Sequence, residues 1–192
     1  MRVIAGSAKG HRLLPVPGDT TRPITDRVKE SLFDILAFRL QGSVWLDLFA
    51  GTGGVGIEAL SRGAEQVVFV DQAHRAIQIL QRNLAATNLT GGAELHQGDA
   101  FRVLEQFAPS SFDYVYIAPP QYHDLWARAL TMTDALQLVK PGGEAIVQVH
   151  PKEMHPVMLQ HLVPTQERRY GSTLLAFYTL PLAEDPARDA AV

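Results

Sequence analysis

The stretch Val44-Trp-Leu-Asp-Leu-Phe-Ala-Gly-Thr-Gly-Gly-Val-Gly56 decides the fold. Its first part, residues 44–49, is short, mostly apolar and β-branched or aromatic in lean, so it reads as a buried strand. Gly51, Gly53, Gly54 and Gly56 follow, too many glycines for the interior of a strand or helix. Without a Cβ the chain can turn sharply and let a ligand approach its backbone. After Gly56, the residues Ile57, Ala59 and Leu60 resume helical apolar spacing. Strand, glycine turn and helix in succession aim free N–H groups at a bound cofactor.

Downstream of the turn, strands and helices alternate. Residues 66–71, 93–97, 112–117 and 144–149 read as strands, and 73–87, 101–107 and 125–139 as helices. Lys140-Pro-Gly-Gly143 reads as a turn, 151–161 as a weaker helix interrupted by Pro156, and 163–169 and 173–180 as two closing strands. These last two are too close for a helical crossover and must pair antiparallel. Upstream, Thr25 or Asp26 caps a helix to about Leu40, with Val28, Leu32, Ile35, Leu36 and Leu40 on one face. Residues 1–18 carry Arg2, Lys9, His11 and Arg12 and no acid, with Gly6 and Gly10 punctuating two short apolar runs. They predict a basic hairpin projecting from the domain. The whole predicts an α/β fold. It is a Rossmann-like, doubly wound, seven-stranded sheet, mostly parallel with an antiparallel final strand, plus an N-terminal β-hairpin extension. The expected divisions are the extension 1–18, the main domain 19–182 and a flexible tail 183–192.

Composition narrows the function. The chain has 192 residues, of which 46% are hydrophobic, enough for one domain with a real core. No apolar run approaches the ~18 residues of a membrane span. No signal-peptide core is visible at the N-terminus, so the expected location is the cytoplasm. A net charge of −3 does not advertise a nucleic-acid binder, though a local basic patch can serve as one. There are 0 cysteines, which excludes disulfides, thiolate metal sites and a cysteine nucleophile. No histidine has metal-ligand spacing with acids, and none is expected to hold a metal.

Gly51-Thr-Gly-Gly-Val-Gly56 matches G-x-G-x-x-G, which also fits nicotinamide and flavin dinucleotide sites. Asp47 shifts the balance, because an acid in the strand before the turn can hold an ammonium group or its water shell. A ligand with a positive end and no pyrophosphate fits, and S-adenosylmethionine (SAM) has that character. Asp71 ends the second strand, where a carboxylate can reach ribose hydroxyls or cap the helix that follows. Asp99 can accept from an adenine amino group or cap the next helix. Ala118-Pro119-Pro120-Gln121-Tyr122 ends the fourth strand. Two prolines stiffen that turn and leave carbonyls able to accept from an amine, while Tyr122 can stack on a base.

At these residues the chain resembles the class I SAM-dependent methyltransferases, and more narrowly the RsmD-type 16S rRNA guanine-N2 methyltransferases. The carriers are Arg2-Val-Ile-Ala-Gly6 with Lys9-Gly10-His-Arg12, the specific segment Arg22-Pro-Ile-Thr-Asp-Arg-Val-Lys-Glu-Ser-Leu-Phe33 and the run Leu46 to Gly63. With them go Asn83, Gly98-Asp99-Ala100, Pro119-Pro120 and Tyr170-Gly-Ser-Thr-Leu-Leu-Ala-Phe-Tyr178. The likeness covers residues 1–180. It implies methyl transfer from SAM to the exocyclic N2 of a guanine in small-subunit rRNA, by a monomer acting on the 30S subunit or an assembly intermediate, with no membrane and no metal. It implies that Asp47, Phe49, Ala50, Gly51, Thr52, Gly53, Gly56, Asp71, Gln72, Asp99 and Ala100 hold the cofactor, and that Arg2, Lys9, His11, Arg12, Arg22 and Arg27 bind RNA. One departure stands out. The family's catalytic turn begins with Asp or Asn, whereas here Ala118 stands there and Gln121 separates Pro120 from Tyr122. The Pro119 carbonyl alone, or Gln121 or Asp124 swinging in, would have to serve. The alternatives are an RNA-binding protein of this fold with weak or lost catalysis, an N6-adenine or other exocyclic-amine methyltransferase, and a dinucleotide-dependent oxidoreductase. The lack of cysteine excludes C5-pyrimidine methylation, which normally needs a thiolate adduct.

Overall fold

A computed structural model describes residues 1–16, 24–36, 39–121 and 123–182. Seven strands form one sheet: β1 Val44–Leu48, β2 Gln66–Asp71, β3 Ala93–Gln97, β4 Phe112–Ile117, β5 Val139–Val149, β6 Val163–Tyr170 and β7 Thr173–Thr179. Their order is β3-β2-β1-β4-β5-β7-β6. β1 to β5 are mutually parallel and β7 runs against both neighbours. This is the doubly wound sheet with an antiparallel final strand that the alternation predicted. Burial on both faces explains why β1, β2 and β4 read as apolar runs rather than alternating ones.

Among the described residues five α-helices cover the sheet: α1 Asp26–Leu36, α2 Gly56–Ser61, α3 His74–Thr87, α4 Ala100–Leu104 and α5 Leu125–Ala135. Apolar residues of α1, α2 and α3 share one core with Trp45, Phe69 and Tyr116. Those of α4 and α5 share the other with Leu46, Val68 and Val115. On the first face Phe33 of α1 stacks on Trp45 at 5.7 Å, and Trp45 meets Tyr114 at 4.6 Å. Among the described residues no helix is long and apolar enough to cross a membrane.

Several expectations are corrected. α5 ends at Ala135, short of the expected end, and α4 spans only Ala100–Leu104. α1 is described over Asp26–Leu36, with residues 37 and 38 outside the described residues and Leu40 not helical. Leu40 is nevertheless buried, which is why its apolar spacing looked helical. The expected turn at 140–143 lies inside β5, where pairing with β4 slips between Phe112/Tyr114 and Val139/Glu144. That is a bulge, with Gly142 at φ +79. No helix forms over 151–161. The tail from residue 183 lies outside the described residues.

The N-terminal segment is a hairpin held by one antiparallel bridge, Arg2 to Arg12. It does not project. Val3, Ala8 and Leu13 are buried in the first core. Gly6 takes φ +81 and lies so close to α2 that a Cβ would sit 1.7 Å from the Ser61 carbonyl oxygen.

Candidate cofactor and target-base site

With β1 to β5 parallel, every loop that follows them opens at one edge of the sheet. β1 is also the point where the chain switches sides: β2 and β3 lie to one side of it, β4 and β5 to the other. Crevices in such sheets form at that switch. Here its walls are the glycine turn after β1 and the Pro119-Pro120 turn after β4. The structure thus brings together at one edge Phe49, Ala50, Gly51, Thr52, Gly53 and Gly56, then Asp71 and Gln72, then Asp99 and Ala100, and Ala118, Pro119, Pro120 and Gln121. Tyr122 and Arg22 lie outside the described residues.

Several of the N–H groups at the turn are already engaged, where the expectation was that they are free. Gly51 N–H donates to Asp71 Oδ2 at 2.8 Å and Gly56 N–H to Asp47 Oδ2 at 2.9 Å. Gly53 N–H donates to the Ala50 carbonyl at 2.8 Å and Ile57 N–H to the Gly53 carbonyl at 2.9 Å. Two acids thus hold N–H groups that a phosphate-binding turn would offer to its ligand. The glycines also divide in role. A Cβ at Gly53 would fall 2.3 Å from Leu80 Cδ1, and one at Gly56 2.2 Å from the Phe69 ring, so both serve close packing. At Gly51, with φ +54, a Cβ would meet nothing within 4 Å. The cradle above Gly51 is open space that a side chain would fill.

Asp47 is buried and lies in register with Tyr116 of β4. Burial raises its pKa to about 7, opposed by the Gly56 N–H bond and helped by the Asp71 charge. Burial also pushes the Tyr116 hydroxyl well above its ordinary value, and that hydroxyl donates to Gln148 Oε1 at 2.5 Å. Asp71 Oδ1 accepts from Ala73 N–H at 2.9 Å, so this residue both ties α3 and braces the glycine turn. A carboxylate has about four lone-pair sites, which leaves capacity for a ligand's hydroxyls. Asp99 is the N-cap of α4, accepting from Phe101 and Arg102 N–H, and is exposed at the crevice edge. Phe49 adopts φ +71, an uncommon conformation for an aromatic residue. Its ring packs with the second core and meets Phe101 edge-on at 6.3 Å, away from the face that holds Trp45.

On the opposite wall, Ala118, Pro119, Pro120 and Gln121 are half-buried. Asp124, at φ +52, does not reach back toward Ala118 as a substitute acid. Its Oδ1 is bonded to His155 Nε2 at 2.8 Å, which joins the loop after β4 to the loop after β5. This contact raises the His155 pKa.

Sequence reasoning gave no role to two residues that shape this site. Asn83 of α3, 1% exposed, donates from Nδ2 to the Thr52 carbonyl at 2.9 Å and the Leu14 carbonyl at 3.1 Å, and accepts from Leu14 N–H at 2.8 Å. One amide therefore registers the N-terminal segment against the glycine turn. Asn83→Ala will destabilise the protein by about 2–4 kcal/mol, because it strands buried backbone groups, and Asn83→Asp will not rescue it, having lost both donors. Urea unfolding of the two variants reads this directly. Glu58 of α2 is the other: it accepts from Ile4 N–H at 2.8 Å and Ala5 N–H at 2.9 Å, and it pairs with the buried Lys29. Of the residues expected to contact RNA, Arg2, Lys9, His11, Arg12 and Arg27 are all exposed. Arg2 pairs with Asp26 at 3.1 Å.

A doubly wound sheet with open space above Gly51 at its switch point, acids bonded to the glycine turn and a proline-stiffened opposite wall fits a Rossmann-like methyltransferase. The chain belongs to the conserved hypothetical protein 95 family, the RsmD-type methyltransferases, which it matches over residues 1–179. It is 42% identical to YlbH of Bacillus subtilis strain 168 over 181 residues, covering 93% of this chain and 98% of that one. It is 39% identical to ribosomal RNA small subunit methyltransferase D of Escherichia coli K12 over 154 residues, 78% and 73% of the two chains. The solved structure of yhhF from Escherichia coli superposes with a TM-score of 0.82 at 28% identity, covering 94% of this chain and 98% of that one.

Proposed function

We infer that this chain transfers a methyl group from SAM to the exocyclic N2 of a guanine in 16S rRNA. It acts as a monomer on the 30S subunit or an assembly intermediate, in the cytoplasm. The observation that carries the reading is the pairing of walls at the β1/β4 switch, an acid-backed glycine turn facing a Pro-Pro turn. The kinship with small subunit methyltransferase D supports the choice of substrate. In this reading residues 1–18 are the RNA-gripping extension and 19–182 the catalytic domain.

SAM, when bound, supplies an activated methyl group on a sulfonium. Asp47 lies beneath the glycine turn and favours the cationic end of the ligand, while the open face at Gly51 admits its backbone-hugging part. Asp71 would offer lone pairs to the ribose hydroxyls, and Asp99 with Ala100 would hold the adenine. Pro119 and Pro120 have no N–H of their own, so their carbonyls are open to the N–H groups of the target amine. Ala118 adds no acceptor, and the backbone must do that work. The carbonyls would accept hydrogen bonds from the amine and orient its lone pair. As the N–C bond forms, the donor's S–C bond would break to leave a neutral thioether and the amine's proton would pass to solvent. Orientation would supply most of the acceleration. The base must leave its stack to reach this crevice.

The test is incubation with radiolabelled SAM and undermodified 16S rRNA or 30S particles, followed by mass mapping of the nucleosides. N2-methylguanosine at one position is expected, and Asp71→Ala should weaken SAM binding about tenfold, the loss of one good charged hydrogen-bond pair. RNA binding without transfer would support instead a binding protein whose chemistry went with Ala118. Label on adenine, or tight NAD binding without SAM binding, would overturn the reading.

A further inference from the structure

The helix next to the glycine turn presents a surface that the site does not use. From residue 72 to residue 93 the chain has no Asp or Glu, and the same holds from residue 1 to residue 18. α3 buries Ala76, Ile77, Leu80, Asn83 and Leu84 and turns Arg75, Gln78, Gln81 and Arg82 to solvent. These four line one groove with Ile79 and Ala85. Arg75 and Arg82 are seven residues apart, two helical turns, so they stand on one side of the helix about 10 Å apart along its axis. Among the described residues neither arginine forms an ion pair, whereas Arg2, Arg39 and Arg62 each do. Gln78 adds a neutral amide bonded to His74.

The same helix is bonded to the N-terminal segment. Asn83, the neighbour of Arg82, holds the backbone of Leu14 on both its N–H and its carbonyl. Leu14 follows Arg12 by two residues. Two acid-free stretches, separate in sequence, are thereby stapled side by side in a chain whose net charge is −3. Charge segregation of this kind, with hydrogen-bonding amides between the cations, complements a polyanion, and arginine suits phosphate because its fork donates two parallel bonds.

We propose that the exposed face of α3, through Arg75 and Arg82, binds the phosphodiester backbone of the rRNA as a continuation of the N-terminal segment's contact. The inference rests on the RNA-substrate reading above but adds a site on a different element. Its ligand is the sugar-phosphate backbone rather than any base, so it sets affinity and register without choosing the target guanine.

The experiment measures binding of naked 16S rRNA to the full chain across a salt series. Arg75→Ala/Arg82→Ala should weaken binding about tenfold near 0.1 M salt, and the slope of log K against log salt should become shallower by about 0.7–0.9 for each lost phosphate contact. Arg75→Lys/Arg82→Lys should retain most of the slope, because the charge survives, and the SAM dissociation constant should not move in either variant. An unchanged slope in the alanine variant overturns the proposal. So does a loss confined to assembled 30S particles, which would place ribosomal protein against α3. The parallel variant Lys9→Ala/Arg12→Ala separates the two readings. If it weakens binding while the α3 variant does not, only this inference fails. If neither affects a salt-independent association, the RNA-substrate reading fails with it.

Discussion

Glu58→Gln will destabilise the protein by about 3–5 kcal/mol, the usual consequence of removing one partner from a buried ion pair. The side chains of Lys29 and Glu58 are both 0% exposed and meet at 3.1 Å. Lys29 Nζ also donates to the Arg2 carbonyl at 2.6 Å. The Glu58 carboxylate accepts from Lys29, from Ile4 and Ala5 N–H, and from Arg62 Nε at 2.8 Å. Arg62 in turn lies over the Phe33 ring at 4.9 Å. One carboxylate on the helix after the glycine turn therefore holds α1, the N-terminal segment and its own helix end. The glutamine variant keeps the shape but leaves the ammonium without a counter-charge in the core.

Two further readouts separate this cause from ordinary loss of packing. Burial already lowers the Lys29 pKa, and Glu58 is the foremost charge opposing that. In the variant Lys29 will be neutral in the folded state at pH values where the unfolded chain still binds the proton. The unfolded state then carries more protons, so stability must rise with pH up to about 10.5, the ordinary lysine value, and it should rise more steeply than in the parent. Limited proteolysis should also cut within residues 1–16, since Ile4 and Ala5 lose acceptors. An unfolding free energy within about 1 kcal/mol of the parent, the range typical of exposed pairs, would show that Glu58 does not hold these elements.

Glu58 also shows where the sequence misleads. Followed by Arg62 four residues on, it has the spacing of a solvated surface pair. Only the burial of all six residues of α2 reveals that this helix has no outer face. Asn83 misleads in the same way, as a polar residue in a helix whose neighbours Gln81 and Arg82 are exposed. Both are polar residues that also bond backbone groups more than fifty positions away, in the N-terminal segment, and periodicity carries no information on such pairs. What periodicity does carry came through well. β1, β2 and β4 are apolar because both faces are covered, and their alternation with helices forces a parallel sheet. That alone fixes which loops share an edge, and so brings Asp71, Asp99 and the Pro-Pro turn to the glycine turn. The bulge in β5 was missed because Pro141, Gly142 and Gly143 favour a turn locally, while pairing with β4 and the Gly142 N–H bond to the Leu180 carbonyl at 2.7 Å keep the strand going. Residues 151–161 carry two prolines, and the loop there is held instead by Asp134, which accepts from the N–H groups of Gln160, His161 and Leu162.

Asp47→Asn will remove a pH dependence from the free protein and, with it, one from SAM binding. Burial raises the folded pKa of Asp47 to about 7, against an ordinary value of 3.8. The folded state therefore holds a proton that the unfolded chain has released, so stability contributed by this group is complete below about pH 4 and is lost as pH rises to about 7. Each pH unit in that window costs up to about 1.4 kcal/mol, or about 4 kcal/mol in all. Asparagine can still accept the Gly56 N–H and never ionises, so the variant should be the more stable protein at pH 8, and its difference from the parent should vanish near pH 4. The ligand reverses the sign. An ammonium seated near Asp47 favours the carboxylate and lowers its pKa, so SAM should bind the parent more tightly as pH rises toward 7, by up to about tenfold per unit, and should release a proton below that pH. The variant should bind weakly and with a flat profile. Chemical denaturation across pH 4–8, with calorimetry of SAM binding in two buffers of different ionisation enthalpy, measures both arms. Superimposable stability profiles for the two proteins would mean that Asp47 is already ionised beneath the turn, and that the cleft is not built around a proton that a cationic ligand displaces.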